Sequence, residues 1–239
     1  MILILGESED TILYFRTRSE ISTITKINEG PTVYQGFLGA EAVAFASVGP
    51  SGMLASVQTN ALLTLLEPYL VVSVGSAASL NDTLHRGDIF IADRIYQHGI
   101  DYTSDGESEY GQIPGHPVFF PCSTTLNAAA ETAAYANGGR YVERGYLLSS
   151  DHSFVKKEDF ESLKKRHYSS NTRLAAFDHI SGGIALACHL REANLLSIRI
   201  ITHEAGDEEG FLRRKITSLE AMPDLGRILT RMLLNSERM

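Results

Sequence analysis

The segment that most constrains the fold is Leu70-Val71-Val72-Ser73-Val74, a nearly continuous apolar run. A strand with one wet face alternates apolar and polar residues. A strand that is apolar almost throughout must be covered on both faces, as the central strands of an α/β sheet are. The preceding stretch, residues 52–67, places Met53, Leu54, Val57, Ala61, Leu62, Leu65 and Leu66 at i, i+4, i+8 spacing. That spacing predicts an amphipathic helix with one buried face, ended by Pro68. Further strands are predicted at 2–5, 31–37, 41–48, 88–93, 144–149 and 196–201, with Gly39-Ala40 as a hairpin turn. Helices are predicted at 124–136, 156–166, 180–191 and 218–235. In the third of these, Gly182 and Gly183 allow close packing at a propensity cost of roughly 1 kcal/mol each.

Strand–helix alternation of this kind predicts a single α/β domain over residues 1–239. Its sheet is central, twisted and flanked by helices, and the β-rich stretch at 31–48 and a strand pair near 88–103 make it mixed. Ligands in such folds sit outside the carboxyl ends of strands. The loops after residues 5, 48, 74, 149 and 201 are therefore where a site is expected.

Composition excludes several function classes. The net charge is −8, from 21 basic and 29 acidic residues. The basic cluster Lys156-Lys157 with Lys164-Lys165-Arg166 reads as a solvated helix face. Nucleic acid and anionic membranes are thus not expected partners. Apolar runs fall far short of the roughly 20 residues that span a bilayer. Met1 to Gly6 reads as a first strand rather than a signal peptide. Cys122 and Cys188 lie outside any CxxC and read as reduced thiols of a cytoplasmic protein. The eight histidines show no HxxH or HExxH spacing, so neither a metal nor a cofactor is expected.

One region is more specific. Gly75-Ser76-Ala77-Ala78 follows the apolar strand and reads as a small-residue turn that lets backbone N–H groups approach a ligand. After it come Arg86-Gly87-Asp88, His98, Asp101 and Tyr110-Gly111-Gln112-Ile113-Pro114-Gly115. These residues resemble the nucleoside phosphorylase/nucleosidase superfamily, and most of all the bacterial 5′-methylthioadenosine/S-adenosylhomocysteine nucleosidases. Members carry "GSAGGL", "VGD" and "YGQLPG" at nearly this spacing. The resemblance covers almost the whole chain. Gly6 matches the family's early glycine, and Val48-Gly49-Pro50-Ser51-Gly52 stands at its "SGIGK" loop. Leu148-Ser149-Ser150-Asp151 resembles "VSGD", and Arg199-Ile200-Ile201-Thr202-His203 resembles "RAISD".

The resemblance implies cleavage of an N-glycosidic bond. The purine must gain a proton to leave, the ribose hydroxyls must be gripped, and a nucleophile must be poised on the opposite face. The family gives each job to a carboxylate. By the same alignment, the three positions fall here on Thr11, on Ile180 of the pair His179-Ile180, and on His203. Threonine and isoleucine cannot act as carboxylates. A histidine can protonate a leaving base, and an ordinary pKa near 6.5 predicts turnover that declines above that pH. His203 is therefore the candidate catalytic residue. Thr11, Gly49, Ser76, Ala77, Phe154, His179, Ile180 and Thr202 are candidate substrate-binding residues, with Phe154 stacked on the base. Plainer readings stand beside these. His203 as a satisfied buried histidine, His179 as a helix-start residue, Ser76 as turn chemistry and Asp151 as a cap for the 156–166 helix all fit the same residues. Arg199 reads as a structural ion-pair partner.

Two function readings stay open from sequence. One is an enzyme that hydrolyses a nucleoside with an atypical site; the other is a catalytically silent relative that binds a nucleoside or base, or serves only as an assembly subunit. Ser73 stands where phosphorylases of the family place a phosphate-binding Arg, which favours water as the nucleophile. The resemblance also implies a homodimer, with the 101–114 loop completing the neighbouring pocket.

Overall fold

The computed structural model describes residues 1–152 and 156–235. Its described residues form a ten-stranded mixed sheet with six α-helices. The strands are β1 (Ile2–Gly6), β2 (Glu20–Lys26), β3 (Thr32–Leu38), β4 (Glu41–Ser47), β5 (Leu70–Ser79), β6 (Ile89–Gln97), β7 (Phe119–Pro121), β8 (Val142–Ser149), β9 (Leu174–Asp178) and β10 (Leu195–Glu204). The helices are α1 (Glu9–Arg16), α2 (Gly52–Leu66), α3 (Thr124–Asn137), α4 (Lys157–His167), α5 (Ser181–Leu190) and α6 (Glu208–Asn235). The expected α/β architecture is what the chain adopts.

Strand order is β10-β6-β8-β9-β5-β1-β4-β3-β2, with β7 on β6. β10 also runs parallel to β5, from Leu195 opposite Val71 to Glu204 opposite Ser79. The sheet therefore closes on itself through β5, β9, β8, β6 and β10, and β1 to β4 extend it on one side. β5 is covered on both faces, as its apolar run predicts: Val71, Val72, Ser73 and Val74 are all fully buried. Two apolar layers flank the sheet. One joins Leu3, Leu5, Val71, Leu62 and Ile184, which brings in α2 and α5. The other joins Ile4, Val72, Val74, Ile198 and Leu229, which brings in α6.

Four expectations need correction. The segment Gly75 to Ala78 is not a turn, because β5 continues to Ser79 with β10 paired alongside it. The buried face of α2 is Ala55, Thr59, Leu62 and Leu63, while Met53, Val57 and Leu65 are exposed. The cause is close packing on α5: a Cβ on Gly183 would lie 1.9 Å from the Gly52 carbonyl oxygen. A helix approached that closely buries its small side, and α2 is apolar on the outer side as well. Finally, the C-terminal helix begins at Glu208, ten residues before the expected start, and the strand expected to pair with 88–93 on its C-terminal side is β7 rather than a segment near 103.

Candidate functional site

β1, β5 and β10 run parallel, and their carboxyl ends open into one cleft of about 640 Å³. Glu7, Ser8 and Thr11 reach it from the end of β1 and the start of α1. Ser76, Ala77 and Ala78 come from β5, and Asp178 and His179 from the end of β9. Thr202 and His203 come from β10; Phe211, Leu212, Arg214, Lys215 and Met222 close the side formed by α6. The site thus sits at four of the five strand ends that the sequence marked, those after residues 5, 48, 74 and 201, with Pro50 lining it from the second.

Local backbone features aim these groups. The register of β10 against β5 slips between Ile201 and His203. A regular strand sends neighbouring side chains to opposite faces, whereas a bulge re-aims one of them. Thr202 and His203 therefore both line the cleft. Ser8 caps α1, its Oγ accepting from the Thr11 N–H, and lies 3.0 Å from Thr11 Oγ1. Gly49 does not line the cleft. A Cβ there would stand 2.3 Å from the Glu7 carbonyl oxygen, so its part is to let the 48–50 loop pass against the backbone of Glu7.

Glu7 is a site residue that the sequence reading passed over. It follows β1 directly, and its Oε1 accepts from the Ser76 Oγ at 2.7 Å and the Ser76 N–H at 3.2 Å. Glu7 packs beside Gly75, where a Cβ would stand in ordinary contact at 3.5 Å from Glu7 Cδ and Oε2. Burial raises the Glu7 pKa above the usual carboxylate range, with Ser76 and Arg199 opposing and Asp178 reinforcing the rise. A cue exists in the sequence, a carboxylate one residue past the end of a strand.

Beneath the cleft lies a closed ionic network. Arg199 is fully buried and donates from Nε to Asp178 Oδ2 at 2.8 Å. Its Nη1 donates to the carbonyls of Ser73 and Ile198, and its Nη2 to the hydroxyls of Ser73 and Ser181. Five bonds match the five N–H donors of a guanidinium. Arg199 is structural, as read from sequence. Asp178 also accepts from the Ser181 N–H and hydroxyl, which starts α5.

At the opposite end, Thr202 Oγ1 lies 2.9 Å from His203 Nδ1 and 3.3 Å from the Ala77 carbonyl oxygen. Burial, and then the charge of Arg214, pull the His203 pKa down to about 4, with Asp207 opposing. At neutral pH the imidazole is uncharged. The ordinary value near 6.5 therefore does not hold here, and the expected loss of turnover above it is withdrawn.

The other candidates separate. His179 lines the cleft and its Nδ1 donates to the Ser150 carbonyl at 2.6 Å. Ile180 is buried in the apolar layer with Ile184, at the cap of α5, and does not reach the cleft. Phe154 lies outside the described residues. Asp151 caps α2 rather than the 156–166 helix, its carboxylate accepting from the N–H groups of Gly52 at 2.7 Å and Met53 at 3.3 Å. Burial pushes the thiols of Cys122 and Cys188 up to about 12. Among the described residues no cluster of three metal-ligating side chains occurs, and no helix is long and apolar enough to cross a membrane.

Comparison with known proteins agrees with this architecture. The chain is 29% identical to a 5′-methylthioadenosine/S-adenosylhomocysteine nucleosidase of Aeromonas salmonicida over 206 residues, 86% of this chain and 87% of that one. The nucleosidase of the same name from Neisseria meningitidis, solved with methylthio-immucillin-A, superposes with a TM-score of 0.89 at 24% identity, covering 97% of both chains. A nucleosidase from Colwellia psychrerythraea, solved with adenine, gives 0.86 at 25% identity, covering 97% of this chain and 93% of that one. The family model described as the Phosphorylase superfamily matches residues 1–234, and the chain belongs to that superfamily.

Proposed function

We propose that the protein hydrolyses the N-glycosidic bond of a purine nucleoside, with water rather than phosphate as nucleophile. The observation that carries this reading is the cleft at the ends of β1, β5 and β10. It joins a hydroxyl- and carboxylate-lined floor, suited to a sugar, to an imidazole and the apolar side chains Phe211, Leu212 and Met222, suited to a base, on a wall that also carries Arg214 and Lys215. Family membership and the names of the relatives support the bond type. The test is a panel of purine and pyrimidine nucleosides, with and without phosphate, read by chromatography of released base. Release of a purine without phosphate is the expected result, and no release from any nucleoside overturns the reading.

A second reading is a binding protein without turnover. The neutral state of His203 favours it, since an uncharged imidazole is a weak source of a proton. Nucleosides that raise the melting temperature while none is cleaved would select this reading.

We also propose a homodimer. The outer face of α2 carries Met53, Val57 and Leu65 exposed to 78%, 66% and 58%. Apolar side chains aligned on one helix face suit a second copy of this chain.

A further inference from the structure

We propose that Glu7 is the general base that activates the attacking water, which rests on the hydrolytic reading above. Three carboxylates line the cleft: Glu7, Asp10 and Asp178. Asp178 is committed to Arg199 and Ser181. Asp10 is exposed and pairs with Lys215 at 3.2 Å. Glu7 is held from one side only. Its Oε1 takes both bonds from Ser76, and Oε2 accepts none from the described residues. A carboxylate fixed through one oxygen and open at the other is the geometry needed to orient a water and take its proton.

Position supports the role. Thr11, where the family resemblance puts the water-activating carboxylate, lines the same cleft one turn further along α1. Its hydroxyl contacts Ser8 and is no base at neutral pH. Glu7 offers a carboxylate to the same floor from the end of β1. Burial raises its pKa, which makes its carboxylate a stronger base than that of an exposed glutamate.

The step balances as follows. The water oxygen bonds to the anomeric carbon as the carbon–nitrogen bond breaks. One water proton passes to Glu7 Oε2, and the bond's electron pair leaves with the base. The base takes up one proton from solvent at the open side of the cleft, and Glu7 returns its proton to solvent as the sugar departs.

The experiment measures base release and melting temperature for the wild type, Glu7→Gln and Ser76→Ala across pH. Glu7→Gln is isosteric and keeps an acceptor for Ser76. It is expected to lower kcat at least about 100-fold while nucleosides still raise its melting temperature. The wild-type profile should show an acidic limb, and Ser76→Ala should move that limb to higher pH, because the Ser76 hydroxyl stabilises the ionised carboxylate. A merely structural Glu7 would not give that shift. An active wild type whose Glu7→Gln variant keeps more than about a tenth of kcat, or keeps the same acidic limb, overturns the assignment and leaves the hydrolytic reading standing. A wild type that cleaves no nucleoside overturns both.

Discussion

Arg199 donates its Nε–H to Asp178 Oδ2 across 2.8 Å, and both side chains are buried beneath the cleft. The pair ties the middle of β10 to the end of β9 and the start of α5. Removing one partner strands the other charge away from water, which costs about 3–5 kcal/mol. Arg199→Met is therefore expected to lower the melting temperature by roughly 10 °C for a chain of this size. Asp178→Asn should do nearly as much. A shift under about 2 °C in calorimetry would show that the network carries little of the stability.

His203 gives a prediction with a definite sign. Its folded pKa, about 4, lies below the unfolded value near 6.5. Between those values the unfolded chain binds the extra proton. This residue's contribution to stability is thus full above about pH 6.5 and is lost as pH falls toward 4. Titration of the ring carbon protons by NMR should show two of the eight histidines, His98 and His203, staying neutral down to about pH 5, and one of these two signals should be absent from His203→Ala. A His203 resonance titrating near 6.5 would contradict the burial argument. On the proposed hydrolytic reading, the neutral imidazole holds the base by one hydrogen bond rather than protonating it. His203→Ala should raise KM about tenfold, the worth of one hydrogen bond, with a smaller effect on kcat.

Phosphate should neither replace water nor speed the reaction. The Glu7 carboxylate occupies the floor where an attacking anion would sit, and like charges there repel. Arg199, beneath the same floor, has every donor engaged, so it has none to offer an incoming phosphate. Base release measured in buffers with and without inorganic phosphate should be equal. A rate proportional to phosphate would place an unassigned anion site in the cleft.

Much of the fold was legible because the sheet carries its own pattern. The run Leu70–Val74 requires a doubly covered strand, and that is what β5 is. The strands that escaped notice lack such a signature. β2 is exposed at almost every position, and β9, Leu174–Asp178, reads as a short stretch with two alanines. The direction of α2 was misjudged because its sequence is apolar on two sides, and periodicity alone cannot say which side meets α5. At the site, the ends of β1, β5 and β10 followed from the general placement of ligands in α/β sheets. The bulge at Thr202 and the reach of Glu7 to Ser76 are tertiary facts: each depends on the alignment of β5 with its neighbours, which local sequence does not encode.

The exposed face of α2 gives the last prediction. Met53, Val57, Ala61 and Leu65 follow one another at i+4, so they form a single ridge along the helix. The inner ridge of the same helix is already packed on α5, and Gly183 against Gly52 leaves no slack for the helix to rotate. The outer ridge is therefore fixed in place and presents large apolar side chains to solvent. A second copy of the chain would remove that surface from water. Light scattering at micromolar concentration should return twice the chain mass. Val57→Glu puts a charge in the middle of the ridge, where an unpaired buried carboxylate costs several kcal/mol. A penalty of about 3 kcal/mol weakens association about 100-fold, enough to give monomer at the same concentration. Because Val57 faces away from α5, the monomeric variant should keep its fold, with an unchanged circular dichroism spectrum. A monomeric wild type would overturn the homodimer, and a Val57→Glu variant that stays dimeric would move the interface elsewhere on the molecule.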